Sequence, residues 1–336
     1  MDIGSLYAAG VAKMAKEHDD KESTKVGTLR AGNTGAMFGG NVIGTCARLT
    51  LLRYLGIRHE LIADNKRLMF DAGLSNEDIW VKALEEGIKA SGEPYTIRTE
   101  EETPIKWQTS KGVDVTGRPD IVIGKEEDGK WTPVKGLELK LASSLWTCRD
   151  TGVMMEPKLM HLLQSAHYGW QLGIPFELWY TNRAEFAVGG GWEQKTFPAE
   201  NQMLTDNIEW SERKDKRTGK TRKYVKKVLQ FRQGYETKWT DKGQLIYRPL
   251  LEGKELHFTS TPITVEGIKF YYETVLEQED KRKLAPRPTL LKADGSPGNY
   301  SPCSYCPLKD ICDKKERDYD GWLATVQAHS SNLKAK

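Results

Sequence analysis

Gly136-Leu137-Glu138-Leu139-Lys140-Leu141 alternates apolar and charged side chains at the two-residue period of a β-strand. The three leucines point one way, and Glu138 and Lys140 point the other way together. A carboxylate and an ammonium on an otherwise apolar strand are costly to bury unless they pair or hold a metal ion. Upstream, Gly117-Arg-Pro-Asp120 is flanked by Val113, Val115, Ile121 and Ile123, again at strand spacing. A polar turn, Glu126-Glu-Asp-Gly-Lys130, separates the two segments. A hairpin through that turn brings Asp120 beside Glu138. Two carboxylates forced together raise the pKa of one of them. A divalent cation relieves the repulsion, and carboxylate oxygens suit hard Mg²⁺ or Mn²⁺. Such an ion activates water and offsets charge growing on a phosphate, with Lys140 expected to orient the water and balance that charge. Taken alone, Glu-x-Lys is also the pattern of an ion pair on an exposed strand.

Downstream, a helix is expected from about Pro157, a residue suited to a first helical position, to a stop at Gly173. His161, Gln164 and Tyr168 share one of its faces, and Leu159, Leu163, Ala166 and Trp170 share the opposite one. The apolar side is expected on the sheet, with the polar stripe outward or in a cleft. Beside a phosphate-cleaving centre, Gln164 and Tyr168 would hold the strand's backbone or the attacking water. His167 points off that face and reads as structural.

Upstream of these segments, residues 1–40 are polar and Gly-rich and read as a loop or mobile arm. A helix follows over Cys46–Leu55. A second runs to about Ala90 with a Trp80, Leu84, Ile88 stripe. It begins either at a capping box on Ser75 and Asp78 or earlier, near Arg67, running through Gly73. Beyond the central segments, Phe176–Tyr180 reads as a strand, 184–260 as an insertion of short strands, and Pro262–Lys283 as a helix. The order predicts a mixed α/β core. The 336 residues carry a net charge of only +3, which excludes a uniformly basic coat while allowing a local basic groove. No apolar run reaches membrane-spanning length and no signal-peptide pattern is visible, so an intracellular protein without a membrane partner is expected.

Five cysteines in an intracellular chain point to metal binding or free thiols rather than disulfides. Cys303, Cys306 and Cys312 have C-x₂-C-x₅-C spacing, an incomplete tetrahedral set whose fourth member is Cys46 or Cys148. Zinc is one possible occupant. Between Arg213 and Lys227, nine cations stand against one Asp. That run reads equally as a solvated hairpin or as a phosphate-tracking arm using Lys220, Arg222, Lys223, Lys226 and Lys227. Trp107 and Trp146 are candidates for stacking on unpaired bases.

Asp120, the Glu138-Leu-Lys140 triplet and Gln164-Ser-Ala-His-Tyr168 resemble motifs II, III and QxxxY of RecB-like PD-(D/E)XK nucleases. The resemblance implies an αβββαβ core and a metal-ligating helix ahead of the strands, for which Gly73-Leu-Ser-Asn-Glu77 is the best match. Glu77 is then the third metal ligand, although Glu85 and Glu86 share its helix. One early and three late cysteines are similar to the iron–sulfur branch that includes AddB-type and CRISPR-adaptation nucleases. That implies a structural 4Fe–4S cluster on Cys46, Cys303, Cys306 and Cys312, with zinc as the alternative and Cys148 left as a buried thiol. The likeness covers roughly 46–182 and 262–315. The expected organisation is an arm to residue 40 and a nuclease domain over 41–320, with its core at about 65–182, inserted strands at 184–260 and the cysteine region at 262–315. A tail, 321–336, follows. The implied activity is Mg²⁺- or Mn²⁺-dependent DNA hydrolysis, exonucleolytic on single strands. Its expected setting is replication, recombination or end processing in the cytoplasm, with a phage as the expected source. The rival readings are an inactive iron–sulfur DNA-binding module and a redox protein.

Overall fold

The structure is a computed structural model that describes residues 26–57, 64–142, 146–148, 157–182, 194–198, 211–214, 216, 218–229, 232–250, 255–289, 291–293, 295, 303, 306, 308–313 and 318–334, with residues 10 and 13. The described chain begins with β1 (Leu29–Arg30), a 3₁₀ turn (Ala31–Asn33), β2 (Gly35–Phe38), β3 (Asn41–Gly44) and α1 (Ala47–Tyr54). Next come α2 (Asp64–Ser91), β4 (Tyr95–Thr99), β5 (Ile105–Gln108), β6 (Asp114–Gly117), β7 (Ile121–Glu127), β8 (Lys130–Ala142) and β9 (Trp146–Cys148). They are followed by α3 (Leu159–Leu172) and β10 (Phe176–Asn182). Then come β11 (Gln194–Pro198), β12 (Ser211–Lys214), β13 (Thr221–Leu229), β14 (Arg232–Trp239), β15 (Gln244–Leu250) and β16 (Thr259–Thr264). Helices α4 (Val265–Asp280), α5 (Lys309–Asp313) and α6 (Tyr319–Lys334) complete it.

The core is a seven-stranded mixed sheet in the order β16-β15-β14-β10-β8-β7-β4. β7 and β8 form a hairpin whose turn residues, Asp128 (φ 53°) and Gly129 (φ 71°), take the left-handed values a tight hairpin requires. β8 and β10 are parallel, and α3 supplies the crossover that parallel neighbours need. On one face of the sheet, Trp80, Val81 and Leu84 of α2 pack against Ile121, Leu137 and Leu139. On the other, Leu162 of α3 packs against Leu178, Tyr180, Tyr235 and Tyr247.

The far side of α3 is covered as well. Leu159, Leu163 and Ala166 pack with Leu51 of α1, Tyr271 of α4 and Trp322 of α6. This corrects the expected orientation: the stripe assigned to the sheet faces a layer built from the N-terminal hairpin and α4, and Leu162, Ser165 and Tyr168 face the sheet region. Ser165 Oγ is hydrogen-bonded to Thr237 Oγ1 on β14 at 3.1 Å. A helix sandwiched between two layers carries apolar residues almost all round, so its stripe does not say which layer is the sheet.

Other boundaries move too. Residues 29–44 are no arm, because Ala31, Thr34, Ala36, Val42 and Ile43 are buried. Gly35 is required there: a Cβ would stand 2.4 Å from the Tyr271 ring. Most of 1–25 lies outside the described residues. The 184–260 region divides: β14–β16 extend the main sheet, while β9 and β11–β13 form a separate four-stranded sheet. α2 starts at Asp64, and Ser75 lies inside it with Oγ donating to Asp71 O at 3.0 Å, so there is no capping box. Pro262 lies in β16, and α4 begins after Thr264, whose Oγ1 accepts from Gly267 N at 2.9 Å. The expected tail is α6, anchored in the core by Tyr319, Trp322 and Val326. Among the described residues no helix is long and apolar enough to cross a membrane.

Candidate functional site

The β7–β8 hairpin sets the geometry. Ile121 pairs with Leu137, so Asp120, just before β7, stands opposite Glu138. Asp120 Oδ2 accepts the Leu139 backbone N–H at 2.6 Å. Gly117 lets this segment approach α3 closely: a Cβ there would lie 2.6 Å from Tyr168 Cε1 and 2.7 Å from Ala31 Cβ. Glu138 is completely buried. Its Oε1 accepts from the Lys140 ammonium, and its Oε2 has no hydrogen-bond partner. A buried carboxylate oxygen without a donor is costly unless a proton or a cation serves it.

Electrostatics tie the group together. Burial first, then the Asp120 charge, pushes Glu138 up to about 8. Burial and then Asp120 raise Glu77, on α2, to about 7. Asp120 is raised as well, chiefly by burial, with Lys140 opposing. Burial works against the Lys140 ammonium, yet Glu138, Asp120 and Glu77 more than offset it and hold its pKa above the ordinary value. Three acids from α2, β7 and β8 thus share one ammonium, leaving a deficit of positive charge. Oxygen donors in a negative pocket fit a hard divalent cation. Among the described residues no three His, Cys, Asp or Glu side chains converge tightly enough to form a ready-made ion site, Glu138 being turned onto Lys140.

One carboxylate of the centre was missed in the sequence. Thr99 pairs with Ile121, which sets Glu100 at the end of β4 beside Asp120, and its charge reaches both Glu77 and Asp120. It sits in a Glu100-Glu101-Glu102 run with nothing to single it out. Glu102 is spent locally, its Oε2 accepting from Thr99 N at 2.9 Å.

From α3, Gln164 Nε2 donates to Tyr168 Oη at 3.3 Å. Tyr168 is buried rather than outward-facing, and burial followed by the Glu138 charge holds its hydroxyl protonated. His161 Nδ1 is 2.9 Å from Tyr180 Oη. Burial, then Lys140 and Lys158, keeps His161 neutral. His167 is locked between Thr34 Oγ1 at 2.7 Å and Trp107 Nε1 at 2.8 Å, and burial lowers its pKa to about 3. Trp107 is half-buried and packs edge-on against Trp170 and Tyr272 at the border of the core. The side chain of Trp146 lies outside the described residues.

Among the described residues four cysteines line a second cavity, although no three of them stand close enough to make a ready-made metal site. Cys46 caps α1, and it lines one cavity with Cys303, Cys306 and Cys312 beside Arg48, Arg287 and Trp322. Burial, then Cys46, Cys312 and Cys303, raises Cys306 to about 11, and burial raises Cys46. Thiols gathered in a small apolar cavity are the soft donor set of zinc or an iron–sulfur group, whose binding deprotonates them. The side chain of Cys148 lies outside the described residues. In the basic run, β12 and β13 pair as a hairpin with Arg213 opposite Arg222. Lys220 is exposed at its turn. The side chains of Arg222, Lys223, Lys226 and Lys227 lie outside the described residues.

Comparison of the chain with protein-family models, curated proteins and solved structures gives no match.

Proposed function

We propose that this chain is a metal-dependent deoxyribonuclease of the PD-(D/E)XK type, acting most readily on single-stranded ends. The observation that carries the reading is the register pairing of Asp120 with Glu138, Lys140 bonded to Glu138, and a buried Glu138 oxygen left without a donor. The succession α2-β4-β7-β8-α3-β10 supports it as an αβββαβ arrangement.

In this reading Glu77, Asp120 and Glu138 hold Mg²⁺ or Mn²⁺. When bound, the ion supplies Lewis acidity and makes water a nucleophile at neutral pH. The rest falls to the chain. Lys140, kept charged by its carboxylate neighbours, balances negative charge developing on the phosphate. Gln164 and Tyr168 are neutral donors that position the strand and the approaching phosphate. His161 and Tyr180, bonded to each other beneath the site, keep its floor neutral.

Cys46, Cys303, Cys306 and Cys312 would hold the 4Fe–4S cluster, or zinc in its place. Bound there, the group would join α1 to the α5 region, and its binding energy would add to folding stability.

The test is digestion of end-labelled single- and double-stranded DNA with Mg²⁺ or Mn²⁺, wild type against Lys140→Ala. Cleavage that needs metal and falls about 100-fold or more in the variant is expected. Equal cutting by both proteins, or none by a wild type that binds DNA, refutes the reading.

A further inference from the structure

Lys140 is bonded to Glu138, and the charges of Glu77, Glu100 and Asp120 act on one another around the centre, Glu100 forming its exposed edge. Such a field repels a phosphodiester, so a polyanion needs a cation at the rim to enter. Arg118 occupies that rim. It lies two residues before Asp120, on a segment pinned by buried Pro119 and by the close approach of Gly117 to Tyr168. Its Nη1 stands 3.9 Å from Glu100 Oε1, and the two side chains are 53% and 48% exposed. The long single contact leaves most of the guanidinium's donors to solvent, and an exposed pair of this kind contributes little. A phosphate offers the planar fork a bidentate partner in place of that contact.

We infer that Arg118 grips a substrate phosphate at the mouth of the carboxylate centre, and that Glu100 holds it in reserve until nucleic acid displaces the pair. This deepens the nuclease reading and rests on it. Arg118 is a positioning residue. It brings the backbone to the centre without touching the reacting bond, and Glu100 sets how much of its charge is free.

Binding of a fluorescent single-stranded oligonucleotide in EDTA, where nothing is cut, tests this by anisotropy across a salt series. Wild type is compared with Arg118→Ala, Glu100→Gln and the double variant. Arg118→Ala should weaken binding about ten-fold and lower the salt slope by about one. Glu100→Gln should tighten binding about two- to five-fold, and that gain should vanish in the double variant. Arg118→Lys should restore the salt slope but only part of the affinity, because it replaces charge without the fork. With metal added, Arg118→Ala should raise KM with kcat little changed. Unaltered affinity in Arg118→Ala overturns the grip. A Glu100→Gln gain that survives without Arg118 overturns the reserve pairing and assigns Glu100 to plain repulsion. A wild type that binds no oligonucleotide at low salt instead refutes the nuclease reading itself.

Discussion

Among the described residues Glu138 is the one acid with no exposure to solvent, and the effect of Glu138→Gln is best read in how stability changes with pH. In the folded, metal-free protein the Glu138 carboxyl sits at about 8, against an ordinary 4.5. Between those values the folded state keeps a proton that the unfolded chain has released. Unfolding therefore sheds a proton, and stability falls as pH rises through the window, by about 1.4 kcal/mol per unit. Below the unfolded value the contribution is complete. Between pH 6 and pH 8 wild type should lose roughly 2–3 kcal/mol through this group. Glutamine abolishes that loss. Glu77, raised to about 7, adds a slope of the same sign to both proteins. The variant deprives Lys140 of its bonded partner, so its absolute stability at any one pH decides nothing; the difference between pH 6 and pH 8 does. Urea unfolding followed by tryptophan fluorescence in EDTA at pH 6, 7 and 8 measures it. Wild type should lose roughly 2 kcal/mol more than Glu138→Gln between pH 6 and pH 8, the variant keeping only the shallower Glu77 slope, and Mn²⁺ at pH 8 should stabilise wild type alone. Parallel pH dependence in the two proteins would show that Glu138 is already ionised in the fold, and the charge-deficit reasoning would fail with it.

Gly117→Ala should cost about 1–3 kcal/mol, because its Cβ would meet the Tyr168 ring and Ala31 in a packed interior. A urea midpoint equal to wild type would refute the close approach. Cys303→Ser removes one of the four thiols lining the common cavity. Iron or zinc per purified chain should drop sharply, with loss of stability; unchanged metal content would detach Cys303 from that centre.

The hairpin that pairs Asp120 with Glu138 was legible because its signals are local: two-residue alternation, a polar turn and a Gly that accepts left-handed backbone. Spacing made Cys303, Cys306 and Cys312 legible as a set and left Cys46 or Cys148 as the fourth, Cys46 being what the resemblance implied; one cavity gathers Cys46 with the three late cysteines. What escaped depends on distant partners. Ala31–Gly40 reads as a loop by composition, yet Tyr271 and His167 make its small residues a packed surface. Tyr168 looked outward because the 3₁₀ turn that covers it comes from far upstream in the chain. Glu100 is chemically identical to its neighbours and gains its place only through β4–β7 register. The strands β14–β16 are short and irregular as sequence, and only pairing with β10 shows that they widen the main sheet.

The double covering of α3 also bears on how the protein is made. Glu77, Asp120, Glu138, Lys140, Gln164 and Tyr168 all precede α4, which packs on α3 and shares one buried cluster with Leu159, Leu163 and Ala166. At ribosomal rates of about 5–20 residues per second, α3 waits on the order of ten seconds with that flank covered only by the N-terminal strands β2 and β3. Pairing across so long a stretch of chain also slows folding. A nascent chain thus carries all the side chains of the proposed centre well before the layer that closes over α3 is complete.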